Sequence, residues 1–157
     1  MLGLGQTLEL IGVCSLTSKK GFGVTKSKER IKKTGEVFTP EWLVDEMLDK
    51  LPPPLFQDST KTYLDPACGD GNILVRVMRR KIDNGSTPLQ ALQTTFGVDI
   101  MPDNIQECRK RLFTIAFEYD HRPTKEWKTA LLTNIRVANT LEQSLEEIFT
   151  APLTGDP

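Results

Sequence analysis

Cysteine is scarce in this 157-residue sequence, and Cys14, Cys68 and Cys108 are odd in number and scattered, with no C-x-x-C pair. That spacing speaks against a disulfide framework and gives zinc no ligand set. The single histidine, His121, falls at the end of an expected helix and reads as a surface residue. No apolar run approaches the roughly 18 residues a bilayer span needs. The apolar stretch Leu8 to Val13 precedes the first lysines, the reverse of a signal peptide. Together these absences predict a soluble, cytoplasmic protein without a membrane partner. An excess of one charge is missing as well. With 20 Lys and Arg against 21 Asp and Glu the net charge is −1, so the chain as a whole has no attraction for nucleic acid.

What is present is ordinary globular composition, 38% hydrophobic and 26% charged, in a length that suits one domain with a sizeable core. The charge is unevenly placed. Lys19, Lys20, Lys26, Lys28, Arg30, Lys32 and Lys33 face one acid, Glu29. The segment reads either as an arm contacting the phosphates of DNA or as a solvated leader. The expected organisation is a basic segment over residues 1–33, a binding domain over 34–149 and a short tail over 150–157.

Apolar periodicity and turn residues place the elements. A strand is possible over Leu8 to Leu16. A helix is expected from Pro40 to Leu51, with Thr39 as its N-cap and Leu43, Val44, Met47, Leu48 and Leu51 on one face, stopped by Pro52-Pro53-Pro54. Strands follow at Lys61 to Leu64, Thr95 to Val98 and Asn134 to Ala138. Helices are expected over Asn72 to Ile82, Leu89 to Gln93, Pro102 to Tyr119 and Leu141 to Phe149. Strands alternating with helices predict an α/β fold with a mainly parallel, doubly wound sheet.

In such a sheet ligands bind outside the carboxyl ends of the strands. The first strand runs into Asp65-Pro66-Ala67-Cys68-Gly69-Asp70-Gly71. Gly69 and Gly71 allow a tight turn and a close backbone approach to a ligand. A phosphate loop would add a lysine; here Asp65 and Asp70 would repel an anion and suit a ligand carrying an ammonium group. Asp99 ends the second strand, where an acid can accept the hydroxyls of a ribose, and Ile100 beside it could cover an adenine ring. Asn139 follows the third strand with an amide that both donates and accepts. Cys68 reads as a small buried residue rather than a nucleophile.

These motifs resemble those of the S-adenosylmethionine-dependent DNA methyltransferases that modify the N6 amino group of adenine. Asp65 to Gly71 is similar to their cofactor loop, and Gly35-Glu36-Val37-Phe38-Thr39-Pro40 to the segment around the methionine end. Val98-Asp99-Ile100 and Val137-Ala138-Asn139-Thr140-Leu141 are similar to their next two motifs. The resemblance covers about residues 33 to 145 and implies a Rossmann-like fold. By position it implies that Phe38 and Thr39 contact the methionine portion, while Asp65 with the backbone of Ala67, Cys68, Gly69 and Gly71 holds its amino and carboxylate groups. Asp99 would then bind the ribose, Ile100 pack on the adenine and Asn139 bond its edge.

The family's base-clamping motif, Asp or Asn followed by two prolines and an aromatic residue, is not in the sequence. Pro52-Pro53-Pro54 lacks both flanks and precedes the cofactor loop, and Asp156-Pro157 offers only a first half. The resemblance therefore implies a truncated fold whose catalysis needs another chain or segment, and a second protein chain as partner. The alternative is a non-catalytic module, derived from such an enzyme, that holds the cofactor or a partner.

Overall fold

The computed structural model describes residues 39–153. The expectations for Leu8 to Leu16, the Lys19–Lys33 segment, Phe38 and Asp156-Pro157 lie outside the described residues. Within them the order is α1 (Glu41–Asp49), α2 (Pro54–Gln57), β1 (Tyr63–Asp65), α3 (Asn72–Asp83), α4 (Pro88–Gln93), β2 (Thr95–Asp99), α5 (Pro102–Tyr119), α6 (Lys125–Asn134), β3 (Ile135–Val137) and α7 (Leu145–Thr150). The architecture is mixed α/β. No helix among the described residues is long and apolar enough to cross a membrane.

The strands form one parallel sheet in the order β1-β2-β3. Leu64 pairs with Phe96 and Val98 with Arg136, so all three carboxyl ends open on the same side. Gly97 sits in the central strand because a Cβ there would lie 2.6 Å from Leu74 Cδ1 and 3.0 Å from Cys68 Sγ. Leu74 of α3 packs with Ile105, Cys108 and Leu112 of α5 in the main core, which Trp127 and Leu131 of α6 extend. A second, smaller cluster joins Val44 and Leu48 of α1 to Phe56 and Val77.

Three expectations are corrected. Thr39 is not the N-cap of α1: Pro40 holds that position, with ψ of 147° and its carbonyl accepting from the Leu43 and Val44 N–H groups. With that ψ Pro40 lies outside the helical region, so the helix starts one residue later than expected and no side chain caps it. The proline run does more than stop α1, which already ends at Asp49; its last proline opens α2 and brings Phe56 inside. The last helix starts at Leu145 rather than Leu141. Asn139 Oδ1 accepts from the Leu141 N–H at 3.0 Å, forming a side-chain turn, and the Ser144–Glu147 capping box fixes the later start.

Sequence reasoning missed α6. Trp127, Ala130, Leu131 and Asn134 repeat at helical spacing and are buried. Asn134 is satisfied by donating to the Leu92 and Gln93 carbonyls at 3.0 and 3.1 Å. Lys81 is also wholly buried, at the opposite end of the sheet from the turn. Its Nζ donates to Thr94 Oγ1 at 2.8 Å and to the Lys61 carbonyl. Burial lowers its pKa to about 8, with the charge of Asp58 partly opposing.

Candidate functional site

The Asp65–Gly71 turn leaves β1 and enters α3, and it is anchored to β2 at two points. The Cys68 N–H donates to the Val98 carbonyl at 2.8 Å, and the Gly69 N–H to Asp99 Oδ2 at 3.1 Å. Gly69 and Gly71 have φ of 54° and 89°, left-handed conformations that favour glycine. At Gly71 space is also limiting, since a Cβ would lie 2.6 Å from Cys108 Sγ of α5.

The two acids of the turn part company. Asp70 is 3.1 Å from Arg111 Nη1, which also donates to the Asp70 carbonyl at 3.0 Å. This corrects the expectation that both acids face a cationic ligand: Asp70 ties the turn to α5. Asp65 is half-buried at the end of β1, and its Oδ1 accepts from the Ala67 N–H at 3.1 Å. Desolvation pushes its pKa up; the Ala67 bond opposes this and the negative charge of Asp99 adds to it. An ammonium group beside Asp65 would relieve both raising causes.

Asp99 is the hinge of the site. Besides Gly69, it accepts at Oδ1 from the Met101 N–H at 2.9 Å and from Asn104 Nδ2 at 3.1 Å. A carboxylate offers about four acceptor positions, so roughly one stays open for a hydroxyl. Asn104, buried in the first turn of α5, was not foreseen; its pairing needs α5 to fold before it becomes visible. Ile100 is 58% exposed beside Asp99, an apolar surface at the rim.

The other predicted residues border the same carboxyl ends. Thr39's carbonyl accepts from Asn72 Nδ2 at 3.4 Å, which sets it beside the start of α3. Thr140 Oγ1 donates to the Pro66 carbonyl at 3.1 Å, tying the β3 loop to the turn. Asn139 spends one acceptor position on Leu141, leaving a second lone pair and an NH2 group. Cys68 is buried, and its thiol is pushed far up by a hydrogen bond with Cys108 and by desolvation, which leaves no nucleophile there.

These groups differ in the chemistry each can offer. The amino end of α3, a 12-residue helix, favours a carboxylate. Asp65 suits an ammonium group, Asp99 a hydroxyl and Ile100 a flat ring. Among the described residues no group of three or more His, Cys, Asp or Glu side chains could hold a metal ion.

No curated protein and no solved structure matches the chain. The family model for N-6 DNA methylases, in contrast, matches residues 24–151, which is most of the sequence and includes every segment that borders the site. The chain belongs to the N-6 DNA methylase family.

Proposed function

We propose that the chain binds S-adenosylmethionine at the carboxyl ends of its strands and is the cofactor-holding part of an enzyme that methylates adenine N6 in DNA. The observation that carries this reading is the bond from the Gly69 N–H to Asp99. It makes one rigid wall of the β1 turn and the end of β2, with Asp65 and Asp99 on it. The bound cofactor would supply an electrophilic methyl group on its sulfonium. The chain's own residues bind and orient: Asp65 with the amides of Ala67 to Gly71 for the amino-acid end, Phe38 and Thr39 around it, Asp99 for the ribose, and Ile100 and Asn139 for the adenine. The parallel sheet is read as the first half of a Rossmann-like doubly wound fold, with β1 at its edge among the described residues. Unpaired strand edges are normally covered, and the sequence lacks the base-clamping tetrapeptide. A second polypeptide would supply both needs, and the Lys19–Lys33 segment would contact DNA phosphates.

The missing tetrapeptide also favours a second reading, a non-catalytic module that holds the cofactor. Calorimetric titration with S-adenosylmethionine tests what the two readings share. Asp99→Ala is expected to weaken binding by about 1.5–3 kcal/mol, with circular dichroism confirming the fold. Absence of binding by the wild-type chain overturns the cofactor reading. Labelled methyl transfer to adenine-containing DNA then separates the two. No transfer is expected from this chain alone, and transfer on adding a complementary subunit supports the enzyme.

A further inference from the structure

α1 carries Glu41, Asp45 and Asp49 four residues apart, and α3 carries Arg76 and Arg80 at the same spacing. Side chains so spaced share a helix face, and here the two rows meet. Arg76 Nη2 is ion-paired with Asp45 Oδ2 and lies 3.9 Å from Glu41. Arg80 Nη1 lies 2.7 Å from Asp49; its Nη2 lies 3.4 Å from Asp45 Oδ1 and donates to the Asp45 carbonyl at 3.1 Å. Among the described residues Asp45 is the one that engages both arginines.

The outer partners Glu41 and Asp49 are exposed, and exposed pairs contribute little to stability. What the ladder supplies is register. The apolar contact beneath it, Val44 and Leu48 against Val77 and Phe56, is small, and hydrophobic contact is non-directional. A slip of α1 by one turn would move it about 5.4 Å. Thr39, two residues ahead of α1, would then lose its 3.4 Å contact with Asn72 at the entrance to α3.

We propose that Asp45 is a positioning residue for the cofactor site: by gripping Arg76 and Arg80 it fixes α1 on α3 and so holds Thr39 beside the Asp65–Gly71 turn. The inference rests on the cofactor reading above and goes beyond it, since Asp45 belongs to none of the segments that border the ligand.

A double-mutant cycle on the full chain tests it, with S-adenosylmethionine affinity as the readout for wild type, Thr39→Val, Asp45→Asn and the double variant. Asp45→Asn is expected to weaken binding about tenfold, within the usual range of coupling between sites. Thr39→Val weakens the wild type but costs nothing further in the Asp45→Asn background, because the hydroxyl is already displaced. Asp45→Glu, which keeps the charge, recovers most of the affinity. A merely stabilising role leaves the two substitutions additive, and additivity overturns the proposal. So does an unchanged affinity for Asp45→Asn, or a Thr39→Val variant that binds like the wild type. If Asp45→Asn does not fold, Arg80→Gln takes its place in the cycle with the same expectations. A wild-type chain that binds nothing overturns the cofactor reading and this inference with it. Wild-type binding with additive variants overturns this inference alone.

Discussion

The sheet with α3 to α6 and the flank formed by α1 and α2 are held by different means. Around the sheet, fifteen buried residues interlock in one cluster, and an aromatic group of Phe113, Phe117 and Trp127 closes its far side. The flank contributes three buried residues, Val44, Leu48 and Phe56, which pack on Val77 of α3, and it leans on α3 through a row of ion pairs. Dense packing makes the first region stable and geometrically unique. The second is thinly packed, and directional charge contacts specify where it sits. The proposed site lies where the two meet, between Thr39 just ahead of α1 and the turn that the sheet supports.

The strongest way to break this contrast is to remove one leucine from each region. Leu112 and Leu48 are 1% and 2% exposed, so burial alone does not separate them. Leu→Ala costs about 2–5 kcal/mol depending on how far the surroundings relax. Leu112→Ala is expected near the upper end, because its neighbours are fixed on all sides. Leu48→Ala is expected near the lower end, because α1 can settle toward α3. Urea unfolding monitored by circular dichroism measures both; equal losses would remove the contrast.

A smaller effect probes Lys81, the most deeply buried charged side chain among the described residues. Lys81 titrates near 8 when folded and near its ordinary 10.5 when unfolded. Between those values the unfolded chain binds more protons, so stability rises with pH across that window. Below about pH 8 both states are charged and the full cost of burying the ammonium is present. The gain from pH 8 to 10.5 is at most about 3 kcal/mol. Lys81→Met should flatten this slope, and denaturation midpoints at pH 7, 8.5 and 10 would show it.

Much of this arrangement was legible in the sequence because its signals are local. The period of Ile105, Cys108, Leu112 and Ala116 marks α5, and strand β2 stands between a helix end and Asp99. Gly69 and Gly71 marked a tight turn, and the structure gives both left-handed conformations. What stayed hidden depends on partners distant in sequence. The salt bridge that engages Asp70 reaches Arg111, 41 residues on. The ladder of Asp45 spans more than 30 residues. α6 was missed because its apolar period is short, one Trp-Ala-Leu face among lysines and threonines. At Thr39 the cap preference was misread by one residue, because Pro40 is extended at ψ and takes the N-cap position itself.

The smallest expected effect lies at the seam itself, in the pH dependence of ligand affinity through Asp65. Its folded pKa is raised, first by desolvation and then by Asp99, with the Ala67 N–H pulling the other way. An ammonium group bound beside it favours the ionised carboxylate. Above the raised pKa the site is already ionised and affinity is flat. Below it, binding must expel a proton, so affinity falls as pH drops, by at most about tenfold per pH unit for one linked proton. Protonating Asp65 stabilises the free fold rather than weakening it, since a raised carboxylate pKa means the folded chain holds that proton more tightly than the unfolded one, so this group's loss of affinity at low pH does not come from unfolding. Calorimetry between pH 4 and 7 in buffers of different ionisation enthalpy would show both the loss of affinity and proton release on binding at the acidic end. Asp65→Asn should bind more weakly at neutral pH and lose the slope. Retention of the slope in that variant would place the linked proton elsewhere and separate Asp65 from the ammonium group.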